Sequence, residues 1–264
     1  MRYAIVSDIH ANLEALTAVL ETIDAEGVDR IVALGDLVGY GANPNECLRI
    51  IRERAIECIA GNHDRAAVGL KDPTWFSDSA KRGIAWTREH LTAESAAFLA
   101  ALPLFRLVDR RFLVVHGALH PRPNEDLYLT SPRDVRRSLD ALRSADAGID
   151  LCFFGHTHRR VAHEWREGRV ARVDGEEVGL KAGAYYLVNP GSVGQSRDED
   201  PRAAFLMLDT DRATVRFHRV AYDVTASQRK AGEAGLLVAE PRRGMSNHWI
   251  GGAIRVARRI VPGR

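Results

Sequence analysis

Six times in this chain a short apolar run stops abruptly at a polar cluster, five times with glycine in or beside it, and this junction restricts the fold more than any other feature. The pairs are YAIV before SDIHAN, RIVAL before GDLVGYG, AIECIA before GNHD, RFLVV before HG, LCFF before GHTH and YYLV before NPGS. Apolar runs this short, bounded by turn formers, mark buried strands rather than helices. The polar residues then sit at the carboxyl ends of those strands. Between the first two runs, Leu13, Leu16, Val19, Leu20 and Ile23 recur at helical spacing and stop at Gly27. Between the next two, Pro44 opens a segment with Cys47, Leu48, Ile50 and Ile51 on one side. Strand, helix, strand, helix, strand predicts a mainly parallel sheet with right-handed crossovers, and ligands bind beyond the carboxyl ends of strands in such α/β sheets.

Residues 74–102 read as two helices, with Thr92 as N-cap of the second and Pro103 as its stop, so a helical insertion spans about 66–103. Beyond GHTH, the segments RVAHEWREGRVARV and AAFLMLDTDRATVRFHRV alternate apolar and polar residues around turns, which predicts hairpins. No repeat or low-complexity linker divides the chain, so one domain over residues 1–264 is expected. The tail over 241–264 contains no acidic residue and six arginines, with Trp249, Ile250, Ala253, Ile254, Ala257, Ile260 and Val261 on one helical face. It reads as a basic amphipathic helix docked on the body or on a second copy in a homo-oligomer; lying on a membrane surface is the alternative.

Composition excludes several classes. A formal net charge of +2 over 264 residues is too weak a basic field for a structural nucleic-acid partner. No run approaches the roughly 20 apolar residues of a membrane span, and the N-terminus lacks a signal-peptide core. The three cysteines, Cys47, Cys58 and Cys152, are an odd number, and the last two lie in apolar runs, which fits a reducing compartment and a cytoplasmic location. A chain of this length also buries roughly three quarters of its unfolded surface, so a metal would be there for chemistry rather than to hold the fold.

The six strand ends carry Asp8, His10, Asp36, Asn62, His63, Asp64, His116, His156 and His158. Carboxylate oxygens and imidazole nitrogens without thiolates suit Mn, Fe or Zn, with Co and Ni close behind, whereas calcium and magnesium prefer all-oxygen shells. One intervening residue separates Asp8 from His10 and His156 from His158, so in extended backbone each pair projects to one side and can pinch one ion or span two. A lone histidine is more often a hydrogen-bonded core or surface residue, as expected for His90, His120, His163, His218 and His248. Four strand ends delivering histidine to one sheet edge among carboxylates have no packing rationale, because such groups stay desolvated and mutually repelled unless an ion balances them.

In the order DIH (8–10), GDLVGYG (35–41), GNHD (61–64), HG (116–117) and GHTH (155–158), the chain resembles the calcineurin-like metallophosphoesterase superfamily over about residues 1–220. The segment NPGSVGQSRDEDPRAAF further resembles its bacterial phosphodiesterase and diadenosine-tetraphosphatase-related branch. The resemblance implies an α/β fold of two mixed β-sheets packed as a sandwich and flanked by helices, a four-layer αββα arrangement. It also implies two divalent metal ions, one held by Asp8, His10 and His158, the other by Asn62, His116 and His156, with Asp36 bridging. A metal-bound hydroxide would attack a small phosphoester or nucleotide substrate, and His63 would serve the leaving oxygen, either supported by Asp64 or with Asp64 capping the next helix.

The pattern departs from the family at one point. Where the Ser/Thr protein phosphatases carry a phosphate-gripping arginine, the second motif here reads Gly39–Tyr40, which argues against a phosphoprotein phosphatase and for a phosphodiester or polyphosphate. Asn12, Arg65 and Arg197 stand as substitutes, each with a local alternative: a helix cap, a solvated side chain and a charged loop. Two further readings stay open. One is a dinucleoside polyphosphate hydrolase that stacks a base on Tyr40, Trp75 or Phe76; the other is a non-catalytic scaffold, against which the retained His63 and ligand positions weigh.

Overall fold

Along the first strand, Tyr3 and Ile5 face one way and Ala4 and Val6 the other, and all four are buried. A strand covered on both faces belongs to the middle of a layered structure. The structure, a computed structural model, describes residues 1–123, 126–145 and 148–237. Its first part runs β1 (Arg2–Val6), α1 (Leu13–Glu26), β2 (Arg30–Ala33), α2 (Pro44–Glu53), β3 (Glu57–Cys58), α3 (Asn62–Ala67), α4 (Asp78–His90) and α5 (Ala93–Ala100). There follow β4 (Phe105–Val108), β5 (Phe112–Val115), α6 (Pro132–Ser144) and β6 (Leu151–Phe153). The chain continues through β7 (Arg160–Arg166), β8 (Arg169–Val173), β9 (Glu177–Gly179), β10 (Tyr185–Pro190), β11 (Ala203–Asp209), β12 (Thr214–Val220) and α7 (Val224–Glu233).

All six runs expected to be strands are strands, but they do not share one sheet edge. They divide into two parallel trios: β3-β2-β1 in one six-stranded sheet, ordered β3-β2-β1-β11-β12-β9, and β5-β6-β10 in the other, ordered β4-β5-β6-β10-β7-β8. The two hairpins read from alternation are β7–β8 and β11–β12, and each flanks one trio antiparallel to its last strand.

Period-two burial sorts the side chains into three cores. Tyr3, Ile5, Val32, Leu206 and Leu208 from the first sheet meet Val114, Phe153, Tyr186 and Val188 from the second in the sandwich interior. On the outer face of the first sheet, Val6, Phe205 and Met207 pack against Leu16, Val19 and Ile23 of α1 and Cys47, Leu48 and Ile51 of α2. On the outer face of the second, Val115, Cys152 and Leu187 pack against Val135, Leu139 and Leu142 of α6. Each large apolar side chain fully buried in this way contributes roughly 1.5–3 kcal/mol. The layering is helix, sheet, sheet, helix, as expected.

Thr92 caps α5 by accepting from Ser95 N, and Asn12 caps α1 by accepting from Ala15 N. The helical insertion is present as α4 and α5, and the loop leading into it brings Phe76 within 5.2 Å of the His63 ring. The expected basic tail, with His248, lies outside the described residues.

Candidate metal centre

The strand tips turn sharply instead of running on as extended chain. Asp8, His10, Asp36, His156 and His158 all have left-handed backbone, with φ of 53°, 50°, 51°, 65° and 57°. Such conformations cost an L-residue about 1–2 kcal/mol each and gather where a site dictates geometry. The extended-chain expectation for Asp8/His10 and His156/His158 is therefore corrected. The first pair still serves one cluster, but the second is split between two.

Backbone bonds lace the tips together. Asp8 N–H donates to the Gly35 carbonyl (3.1 Å) and His10 N–H to Asp36 O (2.9 Å), which joins the tips of β1 and β2. Gly155 N–H donates to His116 O (2.9 Å), while Val193 N–H and Gly194 N–H donate to Ser7 O and Asp8 O. The NPGS turn therefore ties the second sheet to the first. In that turn Asn189 Nδ2 donates to Gly155 O and to Thr157 Oγ1, and Ser192 Oγ donates to Asp8 O (2.8 Å). The polar and buried Asn189 and Ser192 position the site; the motif signalled them, but their separate tasks were not legible.

Two groups of potential ligand atoms result, Asp8, His10, Asp36 and His158 in one and Asp36, His116 and His156 in the other, all buried. Asp36 belongs to both: its Oδ2 lies 3.7 Å from His10 Nε2 and 3.3 Å from His116 Nε2. Asn62 Oδ1 is 3.0 Å from His116 Nε2 and so joins the second group. The first sheet supplies Asp8, His10, Asp36 and Asn62; the second supplies His116, His156 and His158.

The donor set fits cations. His10, His116 and His158 each direct Nδ1 at a main-chain carbonyl, of Val38 (3.1 Å), Leu34 (2.8 Å) and Gln195 (2.7 Å). At His10 and His158, Nδ1–H donation leaves Nε2 facing inward as an electron-pair donor, the arrangement that orients metal-ligating imidazoles. His10 Nε2 and His158 Nε2 then face each other at 3.1 Å, a contact between lone pairs that a cation relieves. His156 Nε2 is buried without a hydrogen-bond partner.

Burial pushes Asp8 up to about 6 and His10 down to about 3, and it lowers His156 and His158 as well, which keeps these imidazoles in the neutral, ligating form. Burial opposes charge on Asp36 and His116 too. Their attraction prevails, holding Asp36 well below the usual carboxylate range and lifting His116 to about 10.

The remaining expected site residues separate. His63 N–H donates to Asp36 Oδ1 (2.8 Å), and its ring packs against those of His10 and Tyr40, each 4.8 Å away. Its Nδ1 is buried without a hydrogen-bond partner. Asp64 does not hydrogen-bond to that ring. Its Oδ1 accepts from Leu37 and Val38 N–H and its Oδ2 from Gly61 N–H, so it braces the β2 turn and caps α3, the alternative noted from sequence. Asn12 uses both ends of its amide, accepting from Ala15 N–H and donating to Gly194 O (3.0 Å). Arg65 turns away to the Leu70 carbonyl (3.3 Å), whereas Arg197 is held beside the clusters by its own N–H to His158 O (3.1 Å). His90 stacks on Trp86 and His218 on Phe205, outside both groups.

The model of the calcineurin-like phosphoesterase superfamily domain matches residues 1–213. An uncharacterized protein of Methanocaldococcus jannaschii is 36% identical over 231 residues, covering 86% of this chain and 90% of its own length. The crystal structure of a metallophosphoesterase from Sphaerobacter thermophilus superposes with a TM-score of 0.73 at 38% identity, covering 90% of this chain and 95% of that one. A hypothetical protein of Pyrococcus horikoshii shares the fold at 20% identity, with a TM-score of 0.71 over 89% of this chain and 94% of its own.

Proposed function

The chain belongs to the calcineurin-like phosphoesterase superfamily, and from that premise we propose that it hydrolyses phosphoester bonds of small substrates at a centre of two divalent cations. The observation that carries this reading is the sharing of one carboxylate, Asp36, by two buried donor groups. Asp8, His10 and His158 would hold one ion and Asn62, His116 and His156 the other, with Asp36 between them. Oxygen and imidazole donors without thiolate suit Mn, Fe or Zn, with Co and Ni also accommodated. Bound there, a pair of cations supplies Lewis acidity toward the phosphoryl oxygens and acidifies a water.

The chain's own residues do the rest. The Nδ1-anchored imidazoles fix the donor geometry. His63, whose main-chain N–H is tied to Asp36 and whose ring Nδ1 has no hydrogen-bond partner, donates a proton to the departing ester oxygen. Asp64 acts on His63 only indirectly, by fixing the turn that faces it. The free, buried thiols of Cys47, Cys58 and Cys152 support a cytoplasmic setting. Among the described residues no helix is long and apolar enough to cross a membrane.

The test is metal analysis together with hydrolysis of bis(p-nitrophenyl) phosphate, phosphomonoesters, cyclic nucleotides and dinucleoside polyphosphates after loading with each metal. The expected result is about two ions per chain and diester turnover in the usual enzymatic range of about 1–1000 per second. Two bound ions with no turnover of any member would support a scaffold instead. A dinucleoside polyphosphate reading also draws support from Phe76 against His63 and from Trp75, the residue before it, which is 95% exposed. Under that reading the polyphosphates would be the best members of the panel.

Gly39 carries a separate prediction. Its φ is +88°, and a Cβ there would stand 2.5 Å from His63 Nδ1. Gly39→Ala is therefore expected to displace the His63 ring and lower kcat about 100-fold while the chain still binds both ions. Steady-state rates beside metal content check it; unchanged turnover would remove His63 from the proposed role.

A further inference from the structure

The Gly39–Tyr40 turn brings no guanidinium to the clusters, yet a phosphoryl group held between cations leaves oxygens that need donors. Of the three residues that sequence offers as substitutes, the amide of Asn12 is used at both ends and Arg65 faces the Leu70 carbonyl. Arg197 differs. It pairs with no carboxylate among the described residues, and its one side-chain hydrogen bond is to the Tyr128 hydroxyl at 3.4 Å. Its charge is felt at Asp8, His10, His63, His156 and His158, residues of both clusters and the ring beside them. A partly buried guanidinium with most of its five donors unused and no carboxylate paired to it is suited to an anion.

The surroundings hold it ready. Its main-chain N–H is bonded to His158 O, one residue before it Ser196 Oγ donates to Asp200 O (2.7 Å), and Gln195 N–H donates to Ser192 Oγ (2.7 Å). One residue after it, the Asp198 carboxylate accepts from Arg160 N–H (3.3 Å) and pairs with Arg219. The loop is thus pinned on both sides of Arg197. Tyr128, itself exposed, stacks its ring on His156 with centroids 4.1 Å apart. The residue whose hydroxyl meets the guanidinium is thus in ring contact with a member of the second cluster.

We propose that Arg197, seated by the Tyr128 hydroxyl, grips a phosphoryl oxygen of the substrate and does the work for which the second motif has no arginine. The proposal rests on the phosphoesterase reading above. Its ligand class is a phosphoester or inorganic phosphate whose non-bridging oxygens face the 195–200 loop.

Mn-loaded wild type, Arg197→Ala, Arg197→Lys and Tyr128→Phe are compared by steady-state hydrolysis of bis(p-nitrophenyl) phosphate and by calorimetric titration with inorganic phosphate. Loss of a charge-assisted hydrogen bond predicts at least about a tenfold rise in KM and an equal loss of phosphate affinity in Arg197→Ala, with metal content unchanged. Arg197→Lys restores part of both, because charge returns without the planar fork. Tyr128→Phe has a smaller effect of about two- to fivefold, since it unseats the guanidinium without removing it. A merely structural role would lower the thermal midpoint and leave phosphate affinity within twofold of wild type; that result overturns the proposal while wild-type turnover keeps the phosphoesterase reading intact. If wild type turns over no ester but its phosphate binding depends on Arg197, the hydrolase reading falls and the grip stands. If Arg197→Ala does not fold, the lysine and phenylalanine variants decide.

Discussion

Asp36→Asn is expected to abolish the paired-ion centre and lower kcat/KM at least about 1000-fold, which corresponds to about 4 kcal/mol at 1.36 kcal/mol per decade. Asp36 is the one side chain common to both donor groups, and its Oδ2 lies between His10 Nε2 and His116 Nε2. An amide of the same shape keeps an oxygen to accept from His63 N–H but removes the negative charge that two cations need between them. The fold should persist, because the three apolar cores lie on the faces of the sheets and not at their tips. Metal analysis after dialysis, circular dichroism and a thermal scan with and without metal decide it. Two ions retained per chain in the variant would show that Asp36 is not the bridge.

His63→Ala separates chemistry from metal binding. Its ring lies 4.8 Å from that of His10 and belongs to neither donor group, so both ions should remain. Loss of a positioned general acid predicts a fall of about 100- to 10,000-fold in kcat with an ordinary alkyl or nucleoside leaving group. A p-nitrophenolate leaves well without a proton, so the deficit should shrink with that ester. This dependence on leaving group distinguishes proton donation from general disruption. An equal loss across leaving groups, or metal content below wild type, would assign His63 to support of the site.

Most of the parts were legible from residues, because a buried strand and a polar turn each leave a local mark. All six strands followed from four to six mostly apolar residues meeting a polar cluster, and the α1 stripe of Leu16, Val19 and Ile23 followed from helical spacing. The division of the six strands into two trios was not legible, since a buried strand reads alike whichever sheet it joins. Nor was the left-handed turn at Asp8, His10 and Asp36, for which the residues themselves give no sign; glycine would have signalled it, but glycine cannot ligate. Asp64 shows the same limit. An acidic residue after His63 suggests a partner for the imidazole, whereas three main-chain N–H groups arriving from Leu37, Val38 and Gly61 claim it first.

The left-handed backbone at five proposed ligand positions also sets the terms on which this chain can change over generations. On the proposed reading each of those residues is tolerated in its conformation because its side chain is wanted, so exchange of Asp8 or His156 for glycine would ease the backbone as it removes a proposed ligand. Selection for activity and selection for stability therefore pull in opposite directions at the same few codons. Once the chemistry ceased to matter in a lineage, these positions would be the first to drift, and the sandwich beneath them would become more robust for having lost its purpose.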